Sequence, residues 1–426
     1  GRGNAATGSG RCCAMAPQPP REPDPQAPVF SLEDEEGYAR HFQEQGYVVV
    51  GGVLDDARVD ATVDELWESR SLLGGYPRLK RHAPESWDDD MWPAGCRNFL
   101  DPLDPCSEVE SWWNRVNPAV ARVFQTLWRD LRYDGEDEDS RDGRLVVSVD
   151  RFGVMRPTKV KMPSKDGSTA DGGVLTDQRA WRTSRNWLHW DQNPWVSPGF
   201  FALQGLLGLS DGAPTSGGFV TVPGFHKEFA HWAQEHPEGS LPRITRKTVP
   251  FPVPLADEMQ DRRLKVVVPR GGLLIWDSRM PHENFPNEDE SWRLAQYVTF
   301  KRLSTEGLGR RAAAWHAGIR TGLVPAAFAR RFSAEEQASL GMAPLEEHAQ
   351  ELQRALEEGD GLSPEALEAA GKLRRAYRLK QIAMDPRELQ EAGQLFREAF
   401  AVNPRLKEPL QCVGAAEDSY LPFWIL

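Results

Sequence analysis

His189 and Asp191 lie two residues apart in Trp187-Leu188-His189-Trp190-Asp191-Gln192-Asn193-Pro194, and a second histidine, His282, follows later in the chain. In an extended strand, residues two apart point to the same face, so His189 and Asp191 can converge on one ion. His282 comes after a run that reads as a strand and a turn, Trp276-Asp277-Ser278-Arg279-Met280-Pro281. Two imidazoles and one carboxylate occupy one face of an octahedron and leave three adjacent positions open. That set suits non-haem iron(II), with two positions for a chelating keto acid and one for dioxygen. A His-x-Asp pair alone is a weak signal, because a single histidine is most often a surface or core residue. Arg293 adds weight: it lies eleven residues after His282 on the next expected strand, with Gln296, Tyr297 and Phe300. A guanidinium there can take the distal carboxylate of 2-oxoglutarate in a bidentate pair. The plainer role for Arg293 is a surface ion pair with Glu288, Asp289 or Glu290.

Positioning these residues requires a scaffold, and hydrophobic periodicity outlines one. Residues 32–45 read as an amphipathic helix capped by Ser31. Gly46-Tyr47-Val48-Val49-Val50 then reads as a short strand, and residues 55–69 as another helix. Across 106–132, Trp112, Val116, Val120, Val123, Phe124, Leu127 and Leu131 continue a helical period. From Leu145 the texture changes: 145–149, 200–209, 218–222, 264–268, 273–276 and 294–300 read as short strands, mostly separated by Gly, Pro and Asp. Strands with little helix between them predict a barrel or sandwich rather than a parallel α/β sheet. Beyond residue 305 the pattern is helical again, with starts at Ser363-Pro364-Glu365 and Asp385-Pro386-Arg387 that place Pro in the first turn. The expected organisation is a disordered Gly-, Ala- and Pro-rich tail over 1–30, a β domain with N-terminal helices over 31–305, and a helical region over 306–426. Those last helices brace the β core or make a dimer contact.

Several stretches, taken in order, resemble the phytanoyl-CoA dioxygenase-like oxygenases across roughly residues 31–302. They are Gly46-Tyr47-Val48-Val49 after the first helix, then His189-Trp190-Asp191. Gly217-Gly218-Phe219-Val220-Thr221-Val222-Pro223-Gly224-Phe225-His226 follows, then Gly271-Gly272-Leu273-Leu274-Ile275-Trp276 leading to His282 and Arg293. The resemblance implies an α+β, mainly β fold, a double-stranded β-helix (jelly-roll, cupin-like) flanked by N-terminal and C-terminal helices. It also implies Fe(II) held by His189, Asp191 and His282, with 2-oxoglutarate as cosubstrate and O2 as oxidant. The implied reaction hydroxylates an unactivated carbon of a small-molecule or lipid-like substrate and releases succinate and CO2. Desaturation and ring formation stay open, because they depend on substrate placement. Three positions depart from the family's habit. Phe225 replaces a small residue in the Pro-Gly turn. Asn284 stands where a hydroxyl residue often helps to bind the keto acid. Gln204 stands where Trp is common and would turn an amide toward 2-oxoglutarate. Arg293, Gln204 and Asn284 are therefore the implied cosubstrate contacts. His226 is read as a turn residue, since His226, His231 and His236 recur every five residues and do not return to one helix face.

Composition narrows the partners. With 40% hydrophobic and 27% charged residues the chain reads as globular, and no apolar run is long enough to span a bilayer. A formal charge of -12 argues against nucleic acid. Between Arg141 and Arg185, however, ten Lys/Arg face five Asp/Glu, which predicts an electropositive approach favouring 2-oxoglutarate and an anionic substrate. Among Trp181, Trp187, Trp190 and Trp195, Trp187 shares the ligands' parity and can line a cavity, whereas Trp190 should point into a core layer. Aromatic walls fit an apolar or planar substrate. The polar stretch 163–173 reads as a loop that can close as a lid, and the acidic run at Asp134 and 136–139 as solvated. Five cysteines without metal-type pairing indicate a reducing compartment such as the cytoplasm, and the acid-free first twenty residues leave organelle targeting open. Two other functional readings remain at this stage: a cupin-like binding or metal-sensing protein without turnover, and a hydroxylase acting on nucleic acid or protein.

Overall fold

The computed structural model describes residues 28–93, 98–102, 104–133, 143–162, 174–238, 250–382 and 386–412. Most of the tail (1–27), the acidic run and the 163–173 stretch lie outside them. The strands among the described residues are β1 (Val29–Phe30), β2 (Tyr47–Val50), β3 (Phe99–Leu100), β4 (Arg144–Val147), β5 (Phe152–Met155), β6 (Lys159–Met162), β7 (Val174–Asp177), β8 (His189–Trp190), β9 (Leu203–Gly208), β10 (Gly218–Thr221), β11 (Phe251–Pro252), β12 (Leu264–Val266), β13 (Leu273–Asp277), β14 (His282–Phe285) and β15 (Arg293–Leu303). The larger sheet runs β1-β2-β13-β9-β15-β5-β3, with β4 also paired to β15; the smaller runs β11-β8-β14-β10-β12. β6 and β7 form a separate two-stranded ribbon.

The strands of the larger sheet are apolar at both parities, because both of its faces are covered. On β13, Leu273 and Ile275 join one buried cluster with the helices. Leu274 and Trp276, on the opposite face, join a second cluster with Phe219 of β10 and Val266 of β12 in the smaller sheet. On β2, Val48 and Val50 likewise separate from Tyr47 and Val49. The two sheets therefore face one another, and helices cover the outer side of the larger one. The fold is α+β and rich in sheet.

Local chemistry sets the helix ends. The helix Glu35–Gln45 is capped by Asp34, whose side chain accepts from the Gly37 N–H at 3.0 Å, and not by Ser31. Ser31 instead accepts from the Glu33 N–H in the preceding turn. The helix stops at Gly46, whose φ of 76° is the left-handed conformation that glycine adopts without penalty. The helical period over 106–132 is broken into Glu110–Arg115 and Pro118–Trp128. Pro118 has no N–H to continue the first helix, and Asn117 caps the second. Val29 and Phe30, at the end of the Gly/Pro-rich stretch, pair in parallel with Val49 and Val50. After Ser304 the described chain is helical: Thr305–Arg320, Ala326–Ala329, Ala334–Ser339, Glu346–Asp360, Pro364–Ile382, Pro386–Val402 and Glu408–Cys412. Trp315 and Phe328 from these helices pack on Trp112, within the cluster that also holds the larger sheet. No described helix is long and apolar enough to cross a membrane.

Candidate metal centre

β8 and β14 are antiparallel neighbours, with His189 directly opposite His282. Each imidazole has Nδ1 beside the carbonyl two residues earlier: Trp187 O at 3.0 Å for His189 and Met280 O at 3.1 Å for His282. A carbonyl only accepts, so Nδ1 carries the proton and Nε2 presents its lone pair. Asp191 lies just past the end of β8, and a bend rather than a continued strand brings its carboxylate round. Its Oδ1 is 3.7 Å from His189 Nε2 and its Oδ2 is 3.5 Å from His282 Nε2. One ligand atom from each residue falls within 4.8 Å of the others. The approach of β8 is held from behind. Glu283 accepts from the Trp187 N–H at 2.7 Å and from Arg263 at 2.8 Å, and Arg263 also donates to Asn186 at 3.0 Å. The Arg263 and Glu283 side chains are 0% and 4% exposed.

Burial, with the neighbouring His282 charge adding to it, pushes the His189 pKa down to about 4 against the opposing pull of Asp191. His189 is thus the neutral, ligating form at neutral pH. Burial acts to raise the Asp191 pKa, but the hydrogen bond and charge of His282, then His189 and Gln204, outweigh it and hold the carboxyl well below its usual range. The Asp191 side chain is nonetheless 43% exposed, and it lines the cavity.

That cavity has a volume of about 340 Å³. Trp187 stacks on the His189 ring at 4.7 Å and 13°, and Phe219 stacks on His282 at 5.9 Å and 20°. Trp276, Phe99 and Tyr297 continue the aromatic wall, and Asp150 and Arg151 add charge to it. Asn284 also lines it, on the same face of β14 as His282. Gln204 reaches into it from β9, and its amide nitrogen donates to Asp191 Oδ2 at 2.8 Å.

Arg293 does not line this cavity. It lies in a smaller adjoining recess with Lys265, and Phe219 contributes to both. A Cβ on Gly153 would sit 2.4 Å from Arg293 Nη1 and 3.3 Å from Tyr297, so this glycine admits the guanidinium beside a cavity-lining ring. Arg293 is 6% exposed, and its Nη1 has no hydrogen-bond partner among the described residues. Two of the three acids suspected of pairing with it are engaged elsewhere: Glu288 with Arg182 and Arg185, Asp289 with Thr215. Lys265 donates to the carbonyls of Ala213, Pro214 and Ser216, and burial together with the Arg293 charge pushes its pKa down to about 8. Three further buried polar atoms of cavity-lining residues are unpartnered among the described residues: Gln204 Oε1, Trp187 Nε1 and Trp276 Nε1. Two imidazoles with a carboxylate fit iron(II), and a buried guanidinium nitrogen unpartnered among the described residues fits a carboxylate-bearing cosubstrate.

The remaining expectations separate cleanly. Trp190 is fully buried and packs on Phe225, Phe229 and Trp232, away from the ligands. His226 is a turn residue whose Nε2 lies 3.1 Å from Gln43 O, and His231 is exposed beside Glu235. Within the described part of the basic stretch, Arg179 and Arg182 pair with Asp177 and Arg185 with Glu288, and only Arg151 lines the cavity. Phe219 and Tyr297 were missed as wall residues, although Tyr297 shares the parity of Arg293 on β15. Phe99 belongs to a two-residue strand that carries no periodicity.

No family model matches the chain. It is similar to "Putative phytanoyl-CoA dioxygenase" of Dictyostelium discoideum, 22% identical over 301 residues covering 62% of this chain and 74% of that protein. It is also similar to "Ava biosynthesis cluster protein O" of Aspergillus versicolor, 24% identical over 276 residues, 62% and 78% respectively. Among solved structures, the epimerase SnoN in complex with Fe3+, alpha ketoglutarate and nogalamycin RO aligns over 63% of this chain and 84% of its own, with 18% identity and a TM-score of 0.40. The resemblance to phytanoyl-CoA dioxygenase-like proteins thus extends to aligned sequence beyond the motif residues.

Proposed function

We propose that this chain is an iron(II)- and 2-oxoglutarate-dependent oxygenase that hydroxylates a carbon of a small organic substrate, releasing succinate and CO2. The observation that carries the reading is the convergence of His189 Nε2, His282 Nε2 and the Asp191 carboxylate on one cavity. In this reading the two facing sheets are the halves of a double-stranded β-helix. Residues 31–305 form the catalytic unit, and 306–426 brace it.

His189, Asp191 and His282 would hold the metal, which when bound supplies activation of dioxygen at the expense of the keto acid. The Trp187 and Met280 carbonyls fix both rings so that Nε2 faces inward. Arg293 takes the distal carboxylate of 2-oxoglutarate, and Asn284 offers an amide to the same molecule. Trp187, Phe219 and Trp276 exclude water from the reacting carbon and present it with an apolar wall. A cavity of about 340 Å³ lies at the small end of ligand pockets and suits a compact substrate.

The test is 2-oxoglutarate-dependent oxygen uptake and succinate formation by protein reconstituted with iron(II). The parent is expected to form succinate, slowly even without substrate, whereas His282→Ala should retain no iron and form none. Iron bound by the parent without succinate across a broad set of small molecules overturns the oxygenase in favour of a binding protein. Normal iron content in His282→Ala overturns the ligand set.

A further inference from the structure

Gln204 occupies an unusual place: it projects from the larger sheet and touches Asp191, in the bend just past β8 of the smaller one. On β9 it lies between Trp276 of β13 and Thr299 of β15. Its amide crosses to Asp191 Oδ2 at 2.8 Å. The orientation of the amide is dictated by chemistry, because a carboxylate only accepts and must therefore face the NH2 end. The carbonyl end, Oε1, is left buried without a partner. Of the two carboxylate oxygens, Oδ2 carries this hydrogen bond and lies 3.5 Å from His282 Nε2, while Oδ1 lies 3.7 Å from His189 Nε2.

We propose that Gln204 is a positioning residue for Asp191: its amide N–H on Oδ2 fixes the rotation of the carboxylate between His189 and His282, so that the group is not free to turn both oxygens toward a metal. A carboxylate free to turn could present both oxygens and occupy one of the three positions that a keto acid and dioxygen need. Such outer contacts commonly change metal affinity by about 10–100-fold when removed. The proposal rests on the metal-centre reading above.

The test uses cobalt(II) alone, titrated by calorimetry and by its visible absorption into the full-length, metal-free protein and two variants. Gln204→Met removes the donor at similar length, and Gln204→Glu replaces it with a second carboxylate. Gln204→Met is expected to bind cobalt(II) at least tenfold more weakly with altered visible bands, whereas Gln204→Glu, whose added carboxylate attracts the cation, is expected to alter the bands without that loss. The metal-free Gln204→Met protein should melt as the parent does, because a purely structural role would move that transition and leave the cobalt spectrum alone. Affinity within twofold of the parent and an unchanged spectrum in both variants overturn the role of Gln204 and leave the metal centre standing. A parent that takes up no cobalt(II) overturns both.

Discussion

At the scale of single residues, Arg293 presents the sharpest imbalance. A buried guanidinium ordinarily has a carboxylate or several carbonyls around it, since an unpaired buried charge is costly. Arg293 Nη1 has no partner among the described residues, while the cationic neighbour Lys265 is satisfied by three carbonyls. A carboxylate arriving with a cosubstrate resolves the imbalance, and charged hydrogen bonds of this kind contribute about 1.5–3 kcal/mol each. Arg293→Ala is therefore expected to raise the 2-oxoglutarate concentration at half-maximal succinate formation by roughly tenfold or more while cobalt(II) affinity stays at the parent's value. Arg293→Lys keeps the charge without the planar fork and should fall between the two. An unchanged 2-oxoglutarate requirement removes Arg293 from the site. The parity of Arg293 was legible in the sequence because β15 is long and unbroken. The partner of Gln204 was not, because Asp191 lies in a bend beyond β8 and Gln204 on a strand of the other sheet, and only the course of the chain between them brings the two together.

At the scale of elements, the precarious piece is β8, only two residues long yet carrying the first ligand. A strand of that length has few ladder bonds, so side chains must hold its register. Glu283 does this by accepting from the Trp187 N–H, and Arg263 compensates the buried carboxylate. Arg263→Met leaves Glu283 buried and uncompensated and is expected to cost about 3–5 kcal/mol in urea unfolding. The double change Arg263→Met with Glu283→Met should recover most of that, since an apolar pair has no charge to desolvate. A loss under 1 kcal/mol for Arg263→Met would show that the pair does not hold β8. Legibility at this scale follows length. β2, β10, β13 and β15 were visible as apolar runs, whereas two-residue strands such as β3 and β11 have no period to detect. The Asp34 cap was displaced from the expected Ser31 because both residue types cap well, and only the turn at 32–34 decides between them.

At the scale of the molecule, the β core and the C-terminal helices share one hydrophobic cluster. Trp315 is fully buried, its ring 6.2 Å from Trp112, and its indole N–H donates to Leu340 O at 3.0 Å. Phe328 stands on the same Trp112 ring at 5.0 Å. Trp112 precedes the helix Pro118–Trp128, whose Phe124 packs on Phe300 of β15 at 4.8 Å. Trp315, Phe328, Trp112, Phe124 and Phe300 thus belong to one buried cluster, which joins the last helices to the strand that begins with Arg293. Where a helical period continues after a β core, sequence shows the helices but not the face they cover, which depends on these non-local rings. Ending the chain after Ser304 strips Trp112 of its cover, and burying one such ring contributes roughly 1.5–3 kcal/mol before packing is counted. The shortened chain is expected to lose cooperative unfolding, to expose apolar surface to a hydrophobic dye, and to bind cobalt(II) far more weakly than the full chain. A shortened chain that melts in one sharp transition and keeps the parent's cobalt(II) affinity would mean that the helices only decorate the core and that the metal centre needs nothing beyond β15.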